Sequence, residues 1–321
     1  MPGFTTHYLF GQQTYHKLPS SDLKHIIQKH PQVFSLGLQG PDIFFYSFLP
    51  HISKKENPGS LMHTTNTGTF LYHLFKGTLM FSTTEKQKIA QSYALGFMGH
   101  YLLDSTCHPY IYARSNSYQK KDSIGRHILL ETDIDNSLLW FFKRKLPSEF
   151  HQTAVISLTK EQMHIVSALL VIAFRQTYPK LTITKNQILQ AIKAIQKGTR
   201  MLYDATGIKK AFIHRLESVF PGHPILSSLI AKDNFLYFKD PCNICHKHWK
   251  NPWNEDNIYT ESFFDLFEKA QTEYLTLLFV AENYFSKELS LRQKEDILQH
   301  LLKQLGSRHY HSGLLSTSDL L

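Results

Sequence analysis

The sequence has few cysteines, no long apolar run and no recognisable targeting segment. Its three cysteines are Cys107, Cys242 and Cys245, and so small and odd a number favours reduced thiols in a cytosolic protein. The longest apolar stretch, residues 167–174, is too short to span a bilayer. The N-terminus lacks the basic and apolar regions of a secretory signal. We therefore expect a cytoplasmic protein without a transmembrane segment.

Internal repeats, low-complexity tracts and long runs of one charge are also missing. The formal net charge is +9, yet no run of Lys and Arg exceeds two residues, so most of this charge is expected on a solvated surface. A positive balance favours an acidic partner such as phosphate-bearing lipid or nucleic acid. Apolar residues make up 42% of the chain, which indicates a globular protein with a sizeable core.

Helical periodicity runs through most of the chain, strand-like alternation is scarce, and the prediction is an all-α fold. Pro109 should end the fourth of the predicted helices, because the residue before a proline avoids the α conformation. Irregular loops are predicted at residues 37–46 and 233–259. The turn at residues 145–150 suggests a boundary between a helical domain, 1–147, and a C-terminal helical region, 148–321. The predicted helices cover about residues 5–17, 21–30, 59–78, 83–107, 123–143, 160–178, 185–204, 261–284 and 291–306.

The most informative local pattern is a stripe of three polar residues in the sequence GHYLLDSTCHPYI. His100, Asp104 and His108 are four residues apart, and each such step turns an α-helix by about 400° and rises about 6 Å. The carboxylate therefore lies between two imidazoles on one face. This arrangement suits a carboxylate that bridges two metal ions.

A second pair with the same spacing follows nineteen residues later in GRHILLETDID. Histidine and carboxylate four residues apart, as in His127 and Glu131, can supply ligands to zinc. Nineteen histidines in one chain will produce some such pairs by accident. Two pairs in succession inside apolar helices are harder to explain in that way, and they favour a metal site.

Three further residues are candidates, and each is weak when taken singly. His7 in TTHYLFG and His63 in LMHTTNTG fit hydrogen-bonded core histidines as well as ligands, and Asp42 in QGPDIFFY fits a turn or cap residue. Their order along the chain is more specific. The series of His, Asp, His, His-x3-Asp, His and His-x3-Glu resembles the ligand series of the bacterial zinc-dependent phospholipase C family, whose fold is similar to that of the single-strand-specific zinc nucleases. The resemblance covers roughly residues 4–145.

The resemblance implies a helical bundle of the zinc-dependent phospholipase C type, with additional C-terminal helices. It implies two zinc ions and a third at a weaker site, where His7 would share Asp104 with the first ion. In the family the third ion also binds the mature N-terminal residue, here expected to be Pro2, and because no leader is evident we expect low occupancy. The resemblance assigns Asp42, His63, His100 and Asp104 to the first zinc, and His108, His127 and Glu131 to the second.

The chain departs from the family pattern in one spacing. Only three residues, 105–107, separate Asp104 from His108, whereas the family usually has five at this point. Two expectations follow. Either the second zinc site has an altered geometry, or Cys107 lies close to it.

The implied function is a zinc-dependent phosphodiester hydrolase that acts on a phospholipid head group. Independently, two zinc ions carry more positive charge than the three carboxylates return, so the centre would attract a phosphodiester anion. Asp42, at the edge of the cluster, is the candidate to orient or deprotonate the attacking water. The alternatives are a single-strand nuclease of the same fold, and a non-catalytic helical protein that keeps metals for stability and binds a membrane or a partner. Lipid is favoured over nucleic acid, with peripheral membrane contact allowed.

Residues 242–248 contain a separate group of thiols and imidazoles. Cys242, Cys245, His246 and His248 could bind a structural zinc. A single Cys-x2-Cys without a second spaced pair is a weak pattern, and haem attachment at Cys-x2-Cys-His needs an export route. The role of this segment stays open at the level of the sequence.

Overall fold

The computed structural model describes residues 3–46, 57–116, 124–219, 224–233 and 236–316. In this part of the chain helices predominate, and the only strands form one antiparallel hairpin, so the prediction of an all-α fold is confirmed. The helices are α1 (Phe4–Lys17), α2 (Asp22–Lys29), α3 (Pro31–Gly37), α4 (Pro58–Thr64), α5 (Thr67–Thr78), α6 (Thr84–Ser115), α7 (Ile124–Lys143), α8 (Gln152–Val155), α9 (Lys160–Thr177), α10 (Lys185–Leu202), α11 (Ile208–Glu217), α12 (Phe263–Phe285) and α13 (Leu291–Leu305), with 3₁₀ helices at Gly40–Phe45 and Pro147–Glu149 and strands β1 (Trp249–Asn251) and β2 (Asn254–Tyr259).

Helix α6 is the centre of the molecule. Nearly every residue from Ile89 to Ile111 is buried, and α1, α3, α5, α7, α9 and α12 all pack against this helix. Thr83 caps the start of the helix: its hydroxyl accepts a hydrogen bond from the backbone N–H of Lys86 at 3.3 Å. Since this part of α6 is surrounded by other helices, the polar residues within it, such as His100 and Asp104, face protein rather than water.

The prediction that Pro109 ends this helix is wrong. Helix α6 continues through Pro109 to Ser115. An internal proline removes one hydrogen bond and costs about 3 kcal/mol, but burial of the residues on both sides of it outweighs this local cost. His108 therefore lies well inside the helix and has a fixed orientation.

Several boundaries differ from those predicted. The helix expected at residues 59–78 is two helices, α4 and α5, separated at Asn66, which has a left-handed backbone conformation with φ of 53°. The loop predicted at residues 37–46 contains the 3₁₀ helix Gly40–Phe45, and the loop at 233–259 contains the β1–β2 hairpin. The predicted start of α7 at Ser123 lies outside the described residues.

The two regions expected on either side of residue 147 share one hydrophobic cluster. Phe10 and Phe97 from the first region and Tyr274 and Leu301 from the second all belong to it. The C-terminal helices thus pack directly on the helices that precede residue 147, while the proposed domain boundary stays a prediction. Among the described helices, none combines the length and apolar character needed to cross a membrane.

Candidate metal centre

Asp104 lies at the middle of a buried cluster of imidazoles. One carboxylate oxygen, Oδ1, is 3.0 Å from His7 Nε2. The other, Oδ2, is 3.1 Å from His100 Nε2 and 3.4 Å from His108 Nδ1. The three α6 residues therefore share one face, as the spacing predicts, and α1 brings His7 to the same carboxylate.

Two residues from other elements complete this side of the cluster. His63 comes from α4 and Asp42 from the 3₁₀ helix that follows α3. His63 Nε2 is 3.3 Å from Asp42 Oδ1 and 3.7 Å from Asp104 Oδ2. Both side chains are buried, so the weak single-residue candidates of the sequence converge on the strong motif.

Helix α7 supplies the other side of the cluster. His127 Nε2 is 2.9 Å from Glu131 Oε1, and His108 Nε2 is 3.4 Å from the same oxygen. His108 thus has one ring nitrogen toward Asp104 and the other toward Glu131. It connects the two parts of the cluster.

Backbone carbonyls fix the orientation of two of the imidazoles. His63 Nδ1 is 2.6 Å from the carbonyl oxygen of Gly59, and His100 Nδ1 is 3.1 Å from that of Leu38. A carbonyl accepts but cannot donate, so each Nδ1 carries the proton and, in the neutral ring, Nε2 keeps its lone pair. In metal sites, a histidine that binds the metal through one ring nitrogen is commonly oriented by a hydrogen bond from the other nitrogen to a carbonyl.

Burial and neighbouring charges act unequally on the titratable groups of the cluster. Burial opposes ionisation of Asp104, but the neighbouring His108, His100 and His7 hold its pKa well below the ordinary value. Burial alone would lower the pKa of His63, but the nearby carboxylates of Asp104 and Asp42 raise it to about 9. Burial lowers the pKa of His100. The cluster thus combines the buried negative charge of Asp104 with the neutral imidazole of His100, whose Nε2 keeps its lone pair.

The donor set fits metal ions. Three groups of side chains each have ligand atoms within 4.8 Å of one another, and all of their members are buried. Buried polar atoms normally have a hydrogen-bond partner. Five nitrogen and oxygen atoms of these side chains have none in the described structure: His7 Nδ1, Asp42 Oδ1, His100 Nε2, Asp104 Oδ2 and His108 Nδ1. Imidazole and carboxylate ligands suit zinc. The groups are His7, Asp42 and His100; His63, His100 and Asp104; and His108, His127 and Glu131.

The structure brings the expected site residues together in groups that could hold a metal ion. All eight candidate residues converge, and the group of His108, His127 and Glu131 matches the expected second site. Asp42, expected at the first site, lies beside His63 of that site but also groups with His7, which was expected at the third site. The first and third expected sites are therefore not separated in space. Pro2, the expected N-terminal partner of His7, lies outside the described residues.

Cysteine is no part of these groups. Cys107 is buried and lines a small cavity together with His7, Asp104 and Glu131, so it lies near the cluster, yet the groups found among the described residues do not include it. They do not include the segment 242–248 either. There Cys242 is buried, and Asp240 accepts hydrogen bonds from the backbone N–H groups of residues 244 and 245 at 2.8 and 3.1 Å.

Sequence reasoning missed a histidine that the C-terminal loop brings to the cluster. The ring of His311 stacks on His63 with centroids 5.4 Å apart and meets His108 edge-on at 5.9 Å. Tyr112 of α6 lies 5.4 Å from the same ring and 4.6 Å from His127. His311 is 180 residues from Glu131, so no spacing pattern could have identified it.

The loop that carries His311 forms hydrogen bonds and close contacts with helices of the metal centre. The backbone N–H of Tyr310 donates to the carbonyl of His63 at 3.1 Å, and the N–H of Arg308 donates to the Tyr101 hydroxyl at 2.8 Å. Gly313, with φ of +67°, lies so close to α6 that a Cβ would be 2.4 Å from the carbonyl oxygen of Ser105. Pro109 has no N–H with which to bond that carbonyl. The proline thus leaves a carbonyl of α6 open where the loop approaches.

Comparison with known proteins agrees with this geometry. The family model described as zinc dependent phospholipase C matches residues 6–179, more than half of the chain. No curated protein and no solved structure gives a match. The matched region contains all eight converging residues and ends well before His311. The chain belongs to the zinc-dependent phospholipase C family.

Proposed function

We propose that this protein is a zinc-dependent phosphodiesterase that hydrolyses the head-group phosphodiester of phospholipids. Family membership supports a zinc hydrolase of the phospholipase C type. The observation that carries the proposal is the buried cluster around Asp104, in which imidazoles and carboxylates from five elements converge. A structural role alone would not need three groups of ligands side by side.

In this proposal two zinc ions are held by seven side chains, and a third site at His7 and Asp104 has low occupancy. Zinc in such a centre activates water at neutral pH and attracts a phosphodiester anion. The first ion would be held by Asp42, His63, His100 and Asp104, and the second by His108, His127 and Glu131.

Asp42 is the proposed proton acceptor. Its Oδ1 has no hydrogen-bond partner in the described structure and lies 3.3 Å from His63 Nε2. A carboxylate in this position can orient the attacking water and take its proton. Gly40, two residues before Asp42, has φ of +49°. Any other residue at this position would place its Cβ 2.4 Å from the His100 ring. The local backbone therefore allows Asp42 to approach the cluster closely.

His311 is the proposed contact to the phosphate. It is half-buried, and its ring lies against the rings of His63 and His108. It does not belong to the groups of metal-binding side chains. An imidazole N–H beside His63 and His108 can donate to a phosphate oxygen of the substrate and so hold the phosphodiester over the centre.

The test combines zinc content with two substrates. We expect at least two zinc ions per chain by elemental mass spectrometry. We also expect release of the phosphorylated head group from phosphatidylcholine vesicles, with little cleavage of single-stranded DNA. Less than one zinc in a folded preparation would contradict the metal sites. Faster cleavage of DNA would favour the nuclease alternative, and bound zinc without hydrolysis of either substrate would favour the non-catalytic one.

A further inference from the structure

Helix α11 has its apolar side chains on the outside. Ile208, Phe212 and Leu216 follow one another at four-residue steps and are 71%, 63% and 55% exposed. They therefore form one stripe along the outer face of the helix. None of the ten residues of α11 is buried. A helix that packs on a core has the opposite arrangement, with its apolar face inward.

Two charged residues of α11, Lys210 and Glu217, face the protein instead. The carboxylate of Glu217 accepts hydrogen bonds from three consecutive backbone N–H groups, those of residues 225–227, at 3.0, 2.6 and 2.8 Å. Lys210 Nζ donates to two carbonyl oxygens of residues 227 and 230 at 3.0 and 2.6 Å. These bonds fix which face of the helix points outward. The exposure of the apolar stripe is therefore built into the fold.

The loop whose backbone N–H groups bind Glu217 carries two more exposed apolar side chains. Ile225 is 43% and Leu226 is 58% exposed, and Val219, just after α11, is 77% exposed. Large contiguous apolar areas on a protein surface mark sites of interaction. We call this area the α11 surface; it consists of Ile208, Phe212, Leu216, Val219, Ile225 and Leu226.

Positive charge accumulates in the same part of the chain. Residues 180–219 contain eight basic and two acidic residues, a net charge of +6 against +9 for all 321 residues. Most of the basic side chains, including Lys193, Lys197, Arg200 and Arg215, are exposed. The two acidic ones are not free, because Glu217 holds the loop and Asp204 accepts the N–H groups of Gly207 and Lys210. The free charge of this segment, which includes the exposed Lys209 and Arg215 of α11 itself, is thus almost purely positive.

We propose that the α11 surface binds the face of a bilayer that contains anionic phospholipids. Apolar side chains that enter the acyl boundary, with Lys and Arg beside them at the level of the head groups, are the features of an interfacial helix. Each basic residue near an anionic surface adds attraction. The positive charge of this segment is what favours a lipid surface over a second copy of this chain, since two copies of it would repel each other.

The position of the surface suits the proposed function, on which its biological meaning rests. The loop that follows α11 is bonded to α7, where the Thr132 hydroxyl donates to the carbonyl of Ser228 at 2.8 Å. Thr132 follows Glu131 of the metal centre directly. A bilayer bound at the α11 surface would therefore be connected, through this loop, to the helix that carries His127 and Glu131.

The test is co-sedimentation of the full-length, zinc-loaded protein with vesicles. The variant combines Phe212→Glu and Leu216→Glu, both exposed, so the fold and the zinc content should be unchanged. We expect the unaltered protein to bind vesicles of phosphatidylcholine and phosphatidylserine, with binding that weakens as salt increases. The variant should bind at least about tenfold more weakly. The matched control is Met80→Glu with Leu291→Glu, at side chains 68% and 82% exposed outside the α11 surface, and it should bind normally.

Three outcomes would overturn the proposal. They are equal binding by the double variant, equal binding to vesicles of phosphatidylcholine alone, and a dimer in solution that the double variant converts to a monomer without any vesicle binding. Activity is measured separately on a soluble phosphodiester. If vesicle binding is lost in the variant as expected but no preparation hydrolyses any phosphodiester, the membrane surface stands and the proposed function fails.

Discussion

At the scale of single residues, the carboxylates of the centre differ in their surroundings, and this predicts different effects of mutation. Asp42 is at the edge of the cluster with one oxygen unpartnered, whereas Glu131 lies between His108 and His127. We expect Asp42→Asn to lower the hydrolysis rate by about 10²–10⁴, the usual contribution of general-base help. Glu131→Ala should act mainly by weakening retention of zinc.

Added zinc separates these two roles. In steady-state assays with excess zinc, Glu131→Ala should regain part of its activity and Asp42→Asn should not. Equal rescue of both variants would mean that Asp42 is only a ligand. Full activity of Asp42→Asn without added zinc would remove this residue from the catalytic site.

His311 should affect the binding of phosphate without affecting the metal. We expect His311→Gln to weaken the binding of inorganic phosphate to the zinc-loaded protein by about tenfold, the effect of one lost hydrogen bond to a charged group. Calorimetric titration measures this affinity, and zinc content should stay unchanged. His309→Gln, two residues away, is the matched control and should bind phosphate normally. Loss of zinc in His311→Gln would show that this histidine is a metal ligand instead.

At the scale of secondary structure elements, the close contact of α3 with α6 positions the centre. A Cβ on Gly96 would be 2.2 Å from the carbonyl oxygen of Phe34, and a Cβ on Gly37 would be 2.3 Å from that of Tyr93. Only glycines allow the two backbones to approach this closely. The residue that follows α3, Leu38, provides the carbonyl that orients His100. Packing of α3 on α6 thus determines the orientation of an imidazole in the cluster.

Gly96→Ala should therefore damage both the fold and the centre. Overpacking of this kind costs about 1–3 kcal/mol, so urea denaturation should show a lower free energy of unfolding. Zinc affinity should fall as well, because the carbonyl of Leu38 moves away from His100. Gly198→Ala, whose Cβ would meet only the Tyr46 side chain, is the control and should retain normal zinc affinity. An unchanged zinc affinity in a destabilised Gly96→Ala would show that α3 does not orient His100.

The elements and residues that the sequence predicted are those whose signal is local. Periodicity identified the long helices, and four-residue spacing identified His100, Asp104 and His108 because all three lie on α6. Pro109 was interpreted by its local preference, which the burial of α6 overrides. His311 and the stacking of its ring on His63 depend on the tertiary approach of the C-terminal loop, and no periodicity encodes such an approach. The outward stripe of α11 was missed because periodicity alone does not say which face of a helix points outward.

At the scale of the whole molecule, the cluster joins segments that are distant in sequence. His7 belongs to α1, Asp42 to a 3₁₀ helix, His63 to α4, and Glu131 to α7, and all of them meet around α6. Each buried carboxylate loses hydration on folding, and such groups need a compensating partner. Bound zinc would give them one, so the metal should contribute to the stability of the entire fold.

Removal of zinc should therefore lower the melting temperature of the whole protein. Zinc present at a thousand times its dissociation constant stabilises a fold by about 4 kcal/mol, which for a chain of this size corresponds to roughly 6 °C. Calorimetry before and after treatment with a strong chelator measures the shift, and added zinc should restore it. In Glu131→Ala the shift should be smaller, because one ligand is missing, while His311→Gln should show the full shift. A melting temperature that does not respond to chelation would mean that the buried carboxylates and imidazoles of the cluster satisfy one another without a metal.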